Sequence, residues 1–277
     1  MSEVSNPHFE AQFNMRLRHP ERMEVYKGHL ARGRTVKART PSREICYGPH
    51  SLNRIELFER PDATAHLVFF HGGYWRTLDK DHCVFLARPF LEAGVEVSLA
   101  NYGLAPEFPL SGIVDHAQAA CRALRRERPN TPLVIAGHSA GAHLAAWGAL
   151  AVAQDGAPPA GLIGLSGLYD LLPLLQTNVN VELDLDAMEA FAFSPARRPW
   201  PKTLGDAAVL LATGGRETLG FKRQTLDFAH RLRAAGVSVH EMEVADRNHF
   251  TILDSLADPA DPLFKAALAV LRPGNVA

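Results

Sequence analysis

The chain has 277 residues, 47% of them hydrophobic and 21% charged, and its formal net charge is −1. This is the composition of a globular protein with a large core, and it lacks the basic excess of nucleic-acid-binding proteins. Because the polar N-terminus shows no signal-peptide pattern and no run of about 18 apolar residues occurs, we expect a cytoplasmic protein that contacts neither nucleic acid nor membrane. Three scattered cysteines, Cys46, Cys83 and Cys121, predict reduced thiols rather than a disulfide framework or a metal site.

The chain begins with a charged, weakly helical segment over residues 1–42, which we interpret as an N-terminal arm packed over a larger body. Short strands are predicted at residues 44–47 and 53–58, and the apolar run at residues 65–70 is typical of a strand covered on both faces. Further helices are predicted at residues 80–93, 113–126, 139–152, 221–235 and 261–271, alternating with strands at residues 95–100, 133–136, 162–165, 207–213 and 237–244. This alternation predicts one α/β domain over residues 1–277, with a mostly parallel central sheet and helices on both faces.

Residues 170–205 interrupt the alternation with leucine-rich, acidic and proline-rich pieces. The interruption follows a predicted strand, and in open α/β sheets ligands bind beyond the carboxyl ends of the strands. We therefore predict that this segment forms a small cap over the pocket.

The most informative motif is Gly137-His138-Ser139-Ala140-Gly141, which lies between a predicted strand and an alanine-rich predicted helix. A Gly-x-Ser-x-Gly turn in this context is a nucleophile elbow, in which glycines allow a close backbone approach and the serine hydroxyl projects above the sheet. The start of the following helix supplies a free N–H group and the positive end of a dipole. Ser139 is therefore the candidate nucleophile.

A serine nucleophile needs a base, and in this architecture the acid and then the histidine follow the serine along the chain. Four histidines follow Ser139. Of these, His143, His230 and His240 fall within predicted helices or strands, whereas His249 lies in a loop after the last predicted strand. A histidine in that loop projects over the top of the sheet, so His249 is the candidate base.

The acid that orients the base is expected in the loop after the preceding strand, where Glu217 is the only carboxylate. Glutamate has one more methylene than aspartate and can fill the same role. Asp170, which follows a different strand, stays open as the alternative acid. Asp246 is so close to His249 in sequence that we interpret it as shaping the loop.

A glycine-rich stretch, His71-Gly72-Gly73-Tyr74-Trp75, directly follows the third predicted strand. The backbone N–H groups of Gly73 and Tyr74 are expected to converge with that of Ala140 on a developing alkoxide, as an oxyanion hole. His71 precedes the serine, and we interpret it as holding this loop by hydrogen bonds. No His-Glu-x-x-His or paired Cys/His spacing predicts a metal site.

With this loop and the elbow in place, the chain resembles the arylformamidase (kynurenine formamidase) branch of the α/β-hydrolase superfamily. The resembling residues are His71-Gly72-Gly73-Tyr74-Trp75, Asn101-Tyr102-Gly103-Leu104-Ala105-Pro106, the stretch from Gly137 to Leu144, Phe221-Lys222-Arg223-Gln224 and the early Ala11-Gln12-Phe13-Asn14. The resemblance implies an α/β-hydrolase fold and hydrolysis of N-formyl-L-kynurenine to L-kynurenine and formate without a cofactor. It also implies Ser139 as nucleophile, His249 as base and Glu217 as acid, at a position where the family more often has aspartate.

Four aromatic residues are candidates for binding an aryl amide: Tyr74, Trp75, Phe191 and Phe193. Packing of the cap on the body explains them equally well. Two other functions stay open, namely a carboxylesterase for short acyl esters, because related esterases share a His-Gly-Gly loop, and a non-catalytic binding protein on a hydrolase scaffold. The expected partner is a small-molecule substrate, and a homodimer is left open.

Overall fold

A single eight-stranded β-sheet organises the part of the chain that the structure describes. The computed structural model describes residues 5–204 and 206–272, so residues 1–4 of the predicted arm, residue 205 of the predicted cap and residues 273–277 of the predicted domain lie outside the described residues. The strands are β1 (Arg43–Cys46), β2 (Arg54–Phe58), β3 (Ala65–Phe70), β4 (Val95–Ala100), β5 (Leu133–His138), β6 (Gly161–Leu165), β7 (Ala208–Gly214) and β8 (Val239–Val244). Their order is β1-β2-β4-β3-β5-β6-β7-β8, and of these eight β2 alone runs in the direction opposite to the other seven. The predicted mostly parallel sheet is confirmed.

The central strands are apolar runs that are buried on both faces. Every residue of β3, β4, β5 and β6 is buried. Because side chains of a strand alternate between its two faces, Val68 and Phe70 of β3 pack in one core layer and Leu67 and Phe69 pack in the other. The edge strands β1 and β8 are partly exposed, which fits their position at the borders of the sheet.

Helices cover both faces of this sheet. They are α1 (Pro7–Phe13), α2 (Met15–Arg18), α3 (Arg22–Lys37), α4 (Ala87–Glu92), α5 (Leu110–Glu127), α6 (Ala140–Gln154), α7 (Asn180–Leu183), α8 (Ala187–Ala192), α9 (Leu219–Ala234), α10 (Ile252–Leu256) and α11 (Pro262–Leu271). Helices α5, α6 and α9 contribute Ile113, Leu144 and Phe228 to one core layer. Helices α4 and α11 contribute Phe90 and Phe264 to the other, with their ring centroids 4.9 Å apart. The predicted α/β-hydrolase fold, with helices on both faces, is confirmed.

One predicted helix is divided in two. Instead of a helix over residues 80–93, a 3-10 helix at Lys80–Leu86 is followed by α4. Pro89 has no N–H group, so a continuous α-helix through it would lose a hydrogen bond and bring its ring against the preceding turn. In α4 this proline lies in the first turn, where no N–H donor is needed.

The N-terminal arm forms α1, α2 and α3 and packs on the body through a few specific contacts. Helix α3 lies on the 3-10 helix at Lys80–Leu86, where the His29 imidazole stacks on the Phe85 ring at 4.2 Å. Helix α1 packs on α9, where the rings of Phe13 and Phe221 are 5.7 Å apart.

The segment between β6 and β7 contains α7, α8 and 3-10 helices at Leu172–Gln176, Pro195–Arg197 and Lys202–Leu204. A hydrogen bond of 2.9 Å from the Asn6 N–H to the Gln176 carbonyl oxygen ties it to the arm. Trp200 ties it to the body, since its ring lies 5.3 Å from that of Phe228 on α9. The segment therefore packs beside α1 and α9.

Gly141, in the first turn of α6, lies against the end of β3. A Cβ atom at this position would be 2.0 Å from the Phe70 carbonyl oxygen and 2.5 Å from the His71 carbonyl oxygen. Because both obstacles are backbone atoms of a buried strand end, we expect Gly141→Ala to lower the free energy of unfolding by about 3 kcal/mol or more. Urea unfolding measures this change.

Gly28→Ala is the matched control. Gly28 is exposed in α3, and no atom lies within 4 Å of a Cβ added there. The better helix propensity of alanine should raise the free energy of unfolding by roughly 0.5–1 kcal/mol. A Gly141→Ala protein that unfolds at the wild-type urea concentration would contradict the close approach of α6 to β3.

Candidate active site

Ser139 occupies the turn between β5, which ends at His138, and α6, which begins at Ala140. Its backbone has φ 56° and ψ −121°, a conformation that costs a residue with a side chain on the order of 1–3 kcal/mol. A hydrogen bond of 2.8 Å from its N–H to the Leu165 carbonyl oxygen holds this conformation. The turn therefore fixes where the serine hydroxyl lies.

The structure brings the hydroxyl of Ser139, the imidazole of His249 and the carboxylate of Glu217 into one line of hydrogen bonds. His249 Nε2 lies 3.1 Å from Ser139 Oγ, and His249 Nδ1 lies 2.9 Å from Glu217 Oε2. All three residues are buried. Glu217 comes from the loop after β7 and His249 from the loop after β8, so neighbouring strands deliver both side chains to the same edge of the sheet. The arrangement can move a proton from the hydroxyl to the imidazole while the carboxylate faces the other ring nitrogen.

The Glu217 carboxylate is held on its other oxygen as well. Oε1 accepts a hydrogen bond of 2.7 Å from the Gly214 N–H and a second one from the Ser166 hydroxyl. Ser166 was not among the residues predicted from the sequence. It directly follows β6, beside the strand that precedes Glu217, and its place at a strand end is the signal that could have found it.

The other acidic candidates lie elsewhere. Asp170 accepts from the Arg197 guanidinium at 2.6 Å and from the Leu172 N–H at 3.1 Å. Asp246 is exposed and pairs with Arg216 at 2.7 Å. Neither carboxylate contacts His249, so of the two acids left open by the sequence the structure brings only Glu217 to the histidine.

His138 supports the loop that carries His249. Its Nε2 donates a hydrogen bond of 2.7 Å to the His249 carbonyl oxygen. Burial holds the pKa of His138 well below its usual range, and the neighbouring His249 imidazole lowers it further. The ring therefore stays neutral. His138 is a second residue that the sequence did not reveal, because only the fold brings it to the later loop.

The glycine-rich loop after β3 lies next to Ser139. Gly73 has φ 115°, and a Cβ there would be 2.0 Å from the Thr77 carbonyl oxygen, so the turn excludes a side chain. A Cβ on Gly72 would lie 3.3 Å from Ser139 Cβ, which shows how close the loop comes to the hydroxyl. Within the described ranges, no acceptor is bonded to the N–H groups of Gly73, Tyr74 or Ala140. These three donors remain available beside the serine.

His71 holds this loop in place by hydrogen bonds, as predicted from the sequence. Its Nδ1 donates to the Gly72 carbonyl oxygen at 2.7 Å, and the Tyr102 hydroxyl donates to the His71 carbonyl oxygen, also at 2.7 Å. The two rings stack at 4.3 Å. Burial lowers the pKa of His71 to about 4, so the imidazole is neutral near pH 7 and serves as a hydrogen-bond donor within the loop.

A small cavity lies over Ser139. It has a volume of about 40 Å³ and is lined by the serine, the glycine-rich loop, His249 and residues of the N-terminal arm. The arm residues are Met15, Arg16, Tyr26 and His29. The segment predicted as a cap, residues 170–205, contributes no lining residue in its described part. A larger groove of about 870 Å³ runs along α1 and α9, and Ser139 is not among its lining residues.

Of the four predicted substrate-binding aromatic residues, only Tyr74 lines this cavity. Its hydroxyl donates to the Phe13 carbonyl oxygen and so ties the loop to the arm. Trp75 is fully buried, Phe193 packs against Trp147 with the ring centroids 6.0 Å apart, and Phe191 is half exposed beneath the Arg197 guanidinium. The structure does not bring Trp75, Phe191 or Phe193 to the serine.

Known proteins with similar sequences and folds are hydrolases. A sequence profile of the alpha/beta hydrolase fold matches residues 67–253, a range that contains Ser139, Glu217 and His249. The chain belongs to the α/β-hydrolase family.

Individual relatives indicate a branch within this family. The chain is 28% identical over 267 residues to a kynurenine formamidase from Danio rerio, covering 90% of this chain and 89% of the relative. It is 30% identical over 202 residues to a kynurenine formamidase from Salmo salar, covering 69% and 68%. The crystal structure of a candidate thioesterase from a Silicibacter species matches with a TM-score of 0.79 and 29% identity, covering 90% and 93%. The resemblance to the arylformamidase branch is confirmed.

The described residues contain neither a candidate metal site nor a candidate membrane span. Among the residues that the structure describes, no group of three or more His, Cys, Asp or Glu side chains could hold a metal ion. Over the same part of the chain, no helix has the length and apolar character needed to cross a membrane.

His143 on α6 joins the glycine-rich loop to the segment before β7. Its Nδ1 accepts from the Trp75 indole N–H at 3.2 Å, and its Nε2 donates to the Phe193 carbonyl oxygen at 2.8 Å. Burial lowers the pKa of His143 from 6.5 to about 4. Below pH 6.5 the His143 imidazole is therefore protonated in the unfolded chain but stays neutral in the folded protein. The folded state loses stability as the pH falls from 6.5 towards 4.

We expect His143→Gln to weaken this pH dependence, because glutamine can keep one donor and one acceptor but does not titrate. Between pH 7 and pH 5 the wild type should lose about 2 kcal/mol more unfolding free energy than the variant. Urea unfolding at several pH values measures both profiles. Parallel profiles would show that His143 is not held neutral by burial.

Proposed function

We propose that the protein is a serine hydrolase that cleaves small acyl amides, with N-formyl-L-kynurenine as substrate and L-kynurenine and formate as products. The observation that carries the proposal is the line of hydrogen bonds from Ser139 through His249 to Glu217, next to three N–H groups that have no acceptor among the described residues. The kynurenine formamidases among the relatives support the choice of substrate.

Acylation starts with attack of Ser139 Oγ on the formyl carbon while His249 Nε2 takes the hydroxyl proton. Glu217 then faces an imidazolium, whose positive charge its carboxylate stabilises. The carbon–nitrogen bond breaks as His249 returns the proton to the leaving arylamine. A formyl ester on Ser139 remains. Water attacks this ester by the same route and releases formate.

The negative charge on the former carbonyl oxygen is stabilised by the N–H groups of Gly73, Tyr74 and Ala140. These donors have no other acceptor in the described structure, so they need no rearrangement when the charge develops. Each such donor is typically worth about 3–4 kcal/mol in the transition state. The N-terminus of α6 adds a favourable dipole at the same place.

The small cavity supports a one-carbon acyl group. About 40 Å³ of free space beside Ser139 holds only a few heavy atoms, whereas pockets that enclose whole ligands measure roughly 300–1,000 Å³. A formyl group fits without rearrangement, and an aryl leaving group displaces side chains of the arm on entry. Longer acyl chains are disfavoured, which separates this proposal from a general carboxylesterase.

The substrate preference is tested by comparing kcat/KM for N-formyl-L-kynurenine, N-acetyl-L-kynurenine and p-nitrophenyl acetate. We expect the formamide to exceed both acetyl substrates by about 100-fold or more, because the extra methyl group is crowded in the small cavity beside Ser139. Ser139→Ala should abolish turnover without unfolding the protein.

Two other results would count against the proposal. Faster turnover of p-nitrophenyl acetate than of the formamide would favour the carboxylesterase. No turnover of any substrate, together with no labelling of Ser139 by an organophosphate, would favour a non-catalytic binding protein.

The role of the acid is tested by Glu217→Gln. The amide removes the negative charge that stabilises the imidazolium, so we expect kcat to fall by about 10³- to 10⁴-fold. Asp170→Asn is the matched control, because Asp170 pairs with Arg197 and not with His249. Steady-state kinetics on N-formyl-L-kynurenine measures both variants. A larger loss in the Asp170 variant would reassign the acid.

A further inference from the structure

Arg16 on α2 places a positive charge in the cavity that holds Ser139. Its Nη2 donates a hydrogen bond of 2.8 Å to the Thr77 hydroxyl oxygen. The Thr77 hydroxyl in turn donates to the Gly73 carbonyl oxygen at 3.1 Å. The guanidinium therefore lies two hydrogen bonds from the loop that supplies the oxyanion donors.

Within the described residues this guanidinium has no carboxylate partner. Nearby charged groups have other hydrogen-bond partners. Arg76 pairs with Glu182 at 2.7 Å, and Arg22 donates to the backbone carbonyl oxygens of Arg16 and His19. The Glu10 carboxylate accepts from Asn14 and Asn178. Among the described residues, Arg16 is thus a cation without a carboxylate partner in the cavity that holds Ser139.

The position of Arg16 is fixed from two sides. Its side chain is held by Thr77, and its carbonyl oxygen accepts from the Arg22 guanidinium at 2.8 Å. The preceding turn is tied to the glycine-rich loop through the Tyr74 hydroxyl and the Phe13 carbonyl oxygen. A guanidinium has five N–H donors in a planar fork that matches a carboxylate, and Thr77 uses only one of them. The remaining donors are available to an anionic ligand.

We propose that Arg16 binds a carboxylate on the leaving-group part of the substrate, so that the site selects aryl amides that carry a carboxylate over those that lack one. The proposal rests on the formamidase activity proposed above and adds a specificity-determining residue to it. A formyl group carries only a hydrogen atom on its carbon, so the carboxylate must lie on the leaving amine. L-Kynurenine carries such a carboxylate at the amino-acid end of its side chain, away from the arylamine nitrogen.

The test compares N-formyl-L-kynurenine with its methyl ester, which keeps the α-ammonium group and replaces the carboxylate by an uncharged ester. We expect Arg16→Gln to lower kcat/KM for the acid by about 10- to 150-fold, the range for a hydrogen bond to a charged group. The loss should appear mainly in KM, because the carboxylate is remote from the reacting carbon and contacts Arg16 equally before and during the reaction. For the methyl ester, kcat/KM should change by less than about 3-fold.

Two further variants sharpen the test. Arg16→Lys keeps the charge and should recover part of the affinity for the acid. Arg18→Gln removes an exposed cation from the same helix, outside the cavity lining, and should leave both substrates unaffected. Equal losses on acid and methyl ester, or an equal loss in the Arg18 variant, would overturn the proposal.

The same variants still test carboxylate binding by Arg16 if the protein is not a formamidase. When the wild type hydrolyses neither formamide, the comparison moves to 4-acetoxybenzoate and phenyl acetate, which carry or lack a carboxylate on the leaving group. A loss confined to 4-acetoxybenzoate in Arg16→Gln supports carboxylate binding by Arg16 in an esterase. An equal loss on both esters rejects it.

Discussion

The turn at Ser139 is the constraint on which the rest of the site depends. Its positive φ goes with a close approach of α6 to β5 at Gly137 and of α6 to β3 at Gly141. A Cβ on Gly137 would lie 2.1 Å from the Gly141 carbonyl oxygen, and a Cβ on Gly141 would lie 2.0 Å from the Phe70 carbonyl oxygen. A relaxed turn would separate α6 from β3. The strain of one residue, on the order of 1–3 kcal/mol, is offset by burial of an entire helix against the sheet. The hydroxyl is consequently held at one point above the strand ends.

The polar groups around the Ser139 hydroxyl are restrained by hydrogen bonds. Glu217 is fixed by Gly214, Ser166 and His249, and the backbone behind His249 is fixed by neutral His138. A buried donor or acceptor without a partner costs about 1–3 kcal/mol, so any rotation of these groups would be penalised. The N–H groups of Gly73, Tyr74 and Ala140, which we propose as the oxyanion hole, are the exception among the described residues. Their missing partner is what makes them useful to a charge that appears only during reaction.

The N-terminal arm lies outside the range matched by the family profile, residues 67–253, yet it closes the cavity over Ser139. The core thus contains the hydroxyl, imidazole and carboxylate, and the arm supplies the wall and, in our proposal, the charge that recognises the leaving group. The predicted cap at residues 170–205 instead packs beside α1 and α9 in its described part. Nothing in a charged, weakly periodic arm indicates on which part of the body it will lie, so its place over Ser139 could not be predicted from the sequence.

The sequence by itself determined the sheet, the elbow and the candidates Ser139, Glu217 and His249, because buried parallel strands and a sharp glycine-flanked turn each leave a strong local pattern. Only the tertiary structure decided between Glu217 and Asp170 as the partner of His249, brought Ser166 and His138 into the site, and placed Trp75, Phe191 and Phe193 away from the serine. It also brought Arg16 to the cavity. Each of these outcomes depends on side chains that meet across large separations in the chain, and no local pattern records which distant groups will come into contact.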